Sequence, residues 1–385
     1  MNKDNPLLNE HDAGARALIA AARTLADDVV EPCAAQWEHE RRIGREALAM
    51  AAAAGLTAVQ VPVTQGGQGA SFRCKAAVTA QLARADFGFA MSLVNTQNVA
   101  AKLSAEADPD VASRFVPALI ATERLGSTAL TEPHAGSDFA ASRTRAIRQP
   151  DGRWRLDGSK AWITNAAASD VIVAYAKVGE GEGADAVASF VIDGRRAGFV
   201  RAAASALCGQ HTIGTGGFAL DGYLAEPEEM LAPAGRGFKS ALASINGARI
   251  YIAAMCCGML ERALEIAAHH GNARESFGAP LGAHQGWRWR LAEAAAELAA
   301  GWALVDQAAR ALDRGEEVMT LAAQTKIFAT RMAERHLPAM QHALGAAGLD
   351  DKLPLGRHLI GAQVAGFVDG STEMLLERAY RPARR

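Results

Sequence analysis

The chain has 385 residues, half of them hydrophobic, and a formal net charge of −2. That length accommodates two or three domains with well-buried cores, and the near-neutral balance argues against wholesale nucleic-acid or membrane binding. Residues 1–10 are polar and carry no signal-peptide pattern, and no window approaches the roughly 18 uninterrupted apolar residues of a membrane helix. Five scattered cysteines (Cys33, Cys74, Cys208, Cys256 and Cys257) form no CxxC pair, which together with the polar start points to a reduced, cytoplasmic setting.

The first third reads as helices. Leu18, Ala22, Leu25 and Val29 recur at helical spacing, and residues 45–54 form a short helix stopped by Gly55. Val61-Pro62 and the run Gly66-Gly67-Gln68-Gly69 break into a loop. Helices resume over residues 71–85 and 88–105, and Asp108, before Pro109, caps another that runs to about residue 121.

From Leu125 the period changes. Trp154-Arg155-Leu156, the runs 171–175 and 189–192, and Gly217-Phe218-Ala219-Leu220 are short and apolar, separated by turns containing Gly, Asp or Ser. They predict a small antiparallel sheet or barrel. The glycine-rich segment 179–185 precedes a strand rather than a helix, so it reads as a hairpin loop and not as a dinucleotide fingerprint. Beyond Gly237 helical spacing returns, with long candidates over 238–270, 280–314 and 318–336, which implies an antiparallel bundle. The domains expected are therefore helical over 1–123, β over 124–233 and helical over 234–385, a mainly α chain with a central β-domain (α+β).

Several chemistries are excluded by the motifs. No GxGxxG follows a strand, and there is no P-loop, no HExxH and no GxSxG. His269 and His270 are neighbours that point apart on a helix, and no Cys/His cluster has metal spacing, so no metal site is expected.

Four stretches remain. Thr131-Glu132-Pro133-His134-Ala135-Gly136-Ser137-Asp138 packs a Pro, a Gly, two hydroxyls and two carboxylates into eight residues; alone it reads as an ordinary polar turn sooner than as a binding loop. The run from Gly158 to Asn165 places Trp162 and Thr164 two apart, hence on one face of a strand, where a Trp is usually core. The run from Arg274 to Gln285 sets Arg274 and Phe277 at a helix end and an amide just inside the next helix, and an Arg there often only complements the helix dipole. Finally, Phe367-Val368-Asp369-Gly370-Ser371-Thr372-Glu373 holds a carboxylate before a helix start, where an N-cap is the plain alternative.

In order and spacing these stretches resemble the acyl-CoA dehydrogenase family of flavoproteins over essentially the whole chain. Residues 55–69 resemble its G-L-x-x-x-x-V-P-x-x-x-G-G-x-G, and 131–138 its T-E-P-x-A-G-S-D. Residues 158–165 resemble G-x-K-x-W-I-T-N, and 274–285 resemble R-x-x-F-G-x-P-L-x-x-x-Q. The resemblance implies an N-terminal helical domain, a middle β-barrel and a C-terminal helical bundle, with FAD held between them. It assigns FAD contacts to Ala129, Leu130, Thr131, Gly136, Ser137, Trp162, Ile163 and Thr164. Arg274, Phe277, His284 and Gln285 would contact the ADP half of a neighbouring subunit's FAD, and His342, Gly345, Ser371, Thr372 and Glu373 would complete the site. Ser137, Asn246, Arg249 and Gly370 would line the path of an acyl thioester, carried on CoA or on a carrier protein.

The reaction implied is α,β-dehydrogenation, with a homodimer or homotetramer as the assembly and a flavoprotein or oxygen as the electron acceptor. The base position is occupied by Asp369, where the family's stretch carries Glu, and the alternative base position is Ala248. At 342–349 the family's Q-x-x-G-G-x-G-Y becomes His-Ala-Leu-Gly-Ala-Ala-Gly-Leu. An Asp base also occurs in the family's nitroalkane-oxidase branch, which leaves a nitroalkane oxidase as an alternative. That branch carries an Arg one or two helical turns later, where this chain has Leu376 with Arg378 nearby. A non-redox flavin-holding lyase or scaffold is a further alternative. The arginines at 378, 381, 384 and 385 could meet an acidic carrier, or simply form a solvated tail.

Overall fold

The computed structural model describes residues 5–380, so Arg381, Arg384 and Arg385 lie outside the described residues. The chain begins with helices α1 (Ala13–Leu25), α2 (Glu31–Glu40), α3 (Arg45–Ala53), α4 (Phe72–Ala83), α5 (Phe87–Glu106) and α6 (Pro109–Ile120). Side-chain caps set four of the starts. Asp12, Ser71, Asp86 and Asp108 accept from Ala15 N (2.7 Å), Cys74 N (3.1 Å), Phe89 N (2.7 Å) and Asp110 N (2.9 Å), satisfying amides that have no partner inside the helix. Every residue of α4 is buried, which makes it a core helix rather than an amphipathic surface one.

Eight strands follow: β1 (Gly126–Ala129), β2 (Arg145–Arg148), β3 (Trp154–Ile163), β4 (Val171–Val178), β5 (Val187–Asp193), β6 (Phe199–Arg201), β7 (Gly216–Ala225) and β8 (Met230–Ala232). They form one sheet in the order β6-β7-β3-β2-β4-β5-β8, with β1 also paired to β4. Two of its pairings, β1 with β4 and β2 with β4, are parallel, so the sheet is mixed where antiparallel strands are expected. The segment after β4 does join an antiparallel pair, β4 and β5, as its hairpin reading requires. Strand β4 is buried on both faces. Val171, Val173 and Tyr175 pack with α5 and α6 side chains, and Ile172, Ala174 and Ala176 pack into a second core on the other face of the sheet.

The chain ends in α7 (Gly237–Ala273), a short hairpin of β9 (Glu275–Ser276) and β10 (Ala279–Pro280), then α8 (Gln285–Asp313), α9 (Met319–Ala343), α10 (Leu355–Phe367) and α11 (Thr372–Tyr380). The helix expected from residue 280 starts at Gln285, because residues 279–283 are used by β10 and a tight turn. In α9 the helix runs through Pro338 to Ala343 instead of stopping near 336. Leu337, Met340 and Ala343 are buried in the main core, and their packing outweighs the one hydrogen bond that a helical proline removes. The spine is α7, whose middle from Ile250 to Leu260 is buried throughout and packs against α4, α8, α9 and α10.

Candidate active site

The loop 131–138 is anchored from below by Glu132. Its buried carboxylate accepts from Arg143 N (2.7 Å), Thr144 N (3.1 Å), Thr144 Oγ1 (2.5 Å) and Lys160 Nζ (2.9 Å). Burial alone would raise its pKa, but the Lys160 ammonium and these donors bring it below the usual carboxylate range. Lys160 also donates to Leu130 O (3.1 Å), and Ala161 N donates to Thr131 O (3.1 Å), fastening the loop to β3. Glu132 and Ala135 exchange backbone hydrogen bonds of 3.0 and 3.1 Å, a tight turn that leaves Gly136 and Ser137 exposed. Ala129 is buried at the end of β1, and Thr131 is half-buried.

Beside this loop β3 is irregular. Its pairing with β7 shifts register between Lys160 and Ile163, and Trp162 has φ of +60°. Regular alternation therefore fails at Trp162, and Thr164 lies beyond the strand; the expectation that they share one strand face does not hold. The bulge instead turns the Trp162 ring outward to 64 % exposure, while Ile163 stays buried. A strand Trp left this open is not core. Trp162 and Pro133 border a shallow cavity of about 600 Å³.

The turn 368–370, between α10 and α11, carries the second cluster. Asp369 has φ of +52° and Gly370 φ of +101°, and a Cβ at Gly370 would come within 3.5 Å of Arg249 Nη2. Lys326, buried on α9, donates to the carbonyl of Val368 and to that of Gly370 (2.6 Å). Arg249, buried on α7, donates from Nε to Asp369 O (3.1 Å) and from Nη1 to Asn246 Oδ1 (2.9 Å). Two buried cations thus clamp the backbone of this turn on both sides of Asp369.

The Asp369 residue keeps partial solvent contact while protein surrounds its carboxyl. Burial raises its pKa, opposed by the charges of Lys326 and Arg249. Burial likewise lowers Lys326 to about 8 and Arg249 to about 10, the latter helped by Arg378. The N-cap alternative for Asp369 fails. It is Ser371 whose Oγ faces Met374 N, at 3.4 Å, at the start of α11, followed by Thr372 and Glu373.

Helix α5 bonds both β1, the strand that leads into the loop, and α7, the helix that carries Arg249. Asn95 accepts from Thr128 N in β1 (3.1 Å). One helical turn on, Asn98 donates to the hydroxyl of Tyr251 on α7 (3.1 Å), two residues from Arg249. Phe139, just after the loop, stacks on Phe238 at the start of α7 with ring centres 4.5 Å apart.

A third group sits elsewhere. Arg274 caps the far end of α7, and Phe277, with φ of +53° in the β9–β10 turn, is 98 % exposed. His284 stands edge-on to Phe277 at 6.4 Å and hydrogen-bonds Ser276 O (3.0 Å), directly before Gln285 opens α8. Trp287 Nε1 donates to Ala343 O (3.0 Å), bringing the α9 end, with exposed His342 and Gly345, alongside. Arg249 and Arg274 are 25 residues apart on one helix, hence about 37 Å at 1.5 Å per residue. One chain therefore does not bring the Asp369 and Arg274 groups to a common site.

Sequence reading missed Lys326, Lys75, Asn98 and Tyr251. The available signal was a basic residue inside an apolar helical run, as in Cys74-Lys75-Ala76-Ala77-Val78.

Family models for the acyl-CoA dehydrogenase N-terminal, middle and C-terminal domains match residues 12–123, 127–223 and 235–383. The chain is 30 % identical to a short-chain specific acyl-CoA dehydrogenase of Megasphaera elsdenii over 77 % of this chain and 78 % of that one. It is 29 % identical to a glutaryl-CoA dehydrogenase of Desulfococcus multivorans over 91 % and 92 %. Among solved structures, butyryl-CoA dehydrogenase from Megasphaera elsdenii superposes with a TM-score of 0.91 at 26 % identity, covering 96 % of this chain and 98 % of that one. With all three domains matched in order, the chain belongs to the acyl-CoA dehydrogenase family, a family of FAD-dependent oxidoreductases.

Proposed function

We propose that this protein catalyses α,β-dehydrogenation of an acyl thioester, with the Asp369 carboxylate taking the α-proton. The observation that carries the reading is the clamped turn. A carboxyl kept from bulk water, on a backbone fixed by Lys326 and Arg249, is positioned as a base. Its raised pKa improves it for proton abstraction near neutrality. Aspartate is one methylene shorter than the family's Glu, and the left-handed backbone at 369–370 sets how far the carboxyl is carried into the cleft.

The residues present fit FAD. Trp162 and Phe277 are large rings turned away from the chain's own core, and the Glu132-anchored loop holds its outer edge in a fixed shape. Thr131 with Ala129, Leu130, Gly136 and Ser137 would hold the flavin edge, and Trp162, Ile163 and Thr164 its ring. When bound, FAD supplies the acceptor for the β-hydride. The Asp369 backbone N–H is the donor offered to the thioester carbonyl, acidifying the α-carbon, while Asn246, Arg249, Ser137 and Gly370 line the path. The separation of about 37 Å along α7 supports assigning Arg274, Phe277, His284 and Gln285 to a second copy's cofactor, in a homodimer or homotetramer.

The test is anaerobic titration of the yellow holoprotein with acyl-CoA and acyl-carrier-protein thioesters, followed by flavin absorbance. Bleaching that is lost in Asp369→Ala supports the reading, and bleaching unchanged in that variant removes Asp369 as base. The nitroalkane-oxidase alternative draws on Arg378, whose charge reaches Arg249. Oxygen uptake with nitroethane, and no response to any thioester, would replace the first reading with that one.

A further inference from the structure

Lys75 lies in the fully buried helix α4. Its ammonium donates to Gln60 Oε1 (3.0 Å) and to Asn98 Oδ1, and it stands 5.6 Å from the centre of the Tyr251 ring and 6.0 Å from that of Phe72. The same Asn98 gives its own N–H to the Tyr251 hydroxyl (3.1 Å). Among the described residues no carboxylate pairs with Lys75. That sets it apart from Arg73, Arg84, Lys160 and Lys177, which are buried likewise and face Asp306, Glu261, Glu132 and Glu182. Burial without a counter-ion lowers Lys75 to about 7. Amide oxygens and ring faces soften that cost, but they leave the site short of a negative charge.

The position of this cluster gives it a use. Tyr251 lies on α7, where burial raises the pKa of its phenol and the charge of Asp369 raises it further. Asn98 and Gln60 are only half-buried, so the cluster borders open space rather than solid core. A thioester with its α-carbon at Asp369 must send its carrier arm out to solvent. With that arm in solvent, Tyr251, whose phenol feels the Asp369 charge, and the half-buried Asn98 bonded to it would stand on the acyl side.

We infer that Lys75, Asn98 and Tyr251 form the inner end of the acyl pocket and select an acyl group whose distal end carries a carboxylate. The Lys75 ammonium gives the incoming carboxylate the counter-charge it lacks in the protein, while Asn98 and the Tyr251 hydroxyl supply neutral hydrogen bonds. A methyl-terminated acyl group of the same length would bury apolar atoms against an unpaired cation. This inference rests on the dehydrogenase reading above.

The test uses the FAD-loaded protein and CoA and pantetheine thioesters in length-matched pairs: butyryl with succinyl, pentanoyl with glutaryl, hexanoyl with adipoyl. Binding is read by perturbation of the flavin spectrum, and turnover by anaerobic bleaching. At one length at least, the carboxylate-terminated member should bind roughly 10–100-fold tighter. In Lys75→Met that ratio should fall to near one, and Asn98→Leu should lower it in the same direction. Removing a buried charge in favour of an isosteric apolar side chain is often stabilising, so Lys75→Met should keep a Tm at or above that of the parent protein. Equal or better binding of methyl-terminated thioesters, or a ratio unmoved by Lys75→Met, overturns the inference. Bleaching by methyl-terminated thioesters without a carboxylate preference would sink the pocket assignment alone. No binding and no bleaching with any pair would sink the dehydrogenase reading as well.

Discussion

Arg249 holds Asp369 by its backbone and not by its carboxylate: the guanidinium Nε–H donates to the Asp369 carbonyl oxygen at 3.1 Å. Among the described residues no ion pair joins the two side chains, so Arg249 fixes the main chain and leaves the carboxylate unengaged. Lysine would keep the charge but lose the fork that also reaches Asn246. Arg249→Lys should therefore retain bound FAD and lower the rate of flavin reduction by roughly 10–100-fold, the range for a displacement of about 1 Å at a reacting centre. Stopped-flow bleaching against flavin content at 450 nm separates the two effects.

The raised pKa of Asp369 has a kinetic and a thermodynamic consequence. As a base it must be ionised, so the flavin-reduction rate should rise with pH through a pKa above the ordinary aspartate range, and Asp369→Asn should cut the rate by at least about 100-fold. For stability the sign is opposite. The folded state holds this proton more tightly than the unfolded chain, so Asp369 costs stability increasingly as pH rises above the unfolded aspartate value, and the cost levels off above the folded pKa. Asp369→Asn should accordingly raise Tm at pH 7, with the difference shrinking toward acid pH. A lower Tm at neutral pH would show that the carboxylate is a structural anchor.

How far the sequence speaks for itself differs between helices and site. Helices α4, α5 and α6 were legible because local signals agree: Ser71 and Asp108 are caps, Pro109 sits at the first position and the apolar spacing is regular. Strands β2, β6 and β8 are three or four residues long, too short for any periodicity, and the parallel pairing of β4 is set by long-range docking. Motif stretches located Asp369 and Trp162, but not the bulge that turns Trp162 outward. Lys326 and Lys75 were illegible for one reason: their partners are carbonyls and amides from distant segments, Val368 and Gly370 for one, Gln60 and Asn98 for the other.

Glu132 should prove structural rather than chemical. Its carboxylate is occupied by Thr144, the Arg143 amide and Lys160, which is itself buried. Glu132→Ala strands the Lys160 ammonium, a change on the order of 3–5 kcal/mol for a broken buried pair. The expected result is a lower Tm together with a weaker hold on FAD, since the loop loses its floor. Because its folded pKa lies below the usual glutamate value, Glu132 stabilises above that value, and the contribution is lost as pH falls through the folded pKa. Thermal melts of the apoprotein between pH 3 and 7 test this, and the parent should lose its advantage over the variant at the acid end.

Phe277 offers the sharpest test of assembly, because among the described residues only His284 stands against its ring and it remains 98 % exposed. An aromatic ring held out on a two-strand hairpin, at a left-handed backbone position, is costly for an isolated subunit and sensible where a neighbour's cofactor covers it. Sedimentation of the holoprotein should give a dimer or tetramer. Phe277→Ala should weaken FAD binding up to about tenfold, as expected for an aromatic contact of about 0.5–1.5 kcal/mol, while leaving the Tm of the apoprotein unchanged. Mixing Phe277→Ala with Asp369→Asn subunits then separates an interfacial site from one confined to a chain. If each cofactor is held by Phe277 of one copy and reduced beside Asp369 of the other, mixed dimers contain one site carrying both defects and one carrying neither. They would regain flavin reduction at half of the sites. A site built within one chain would place one defect in each site and give no intact one.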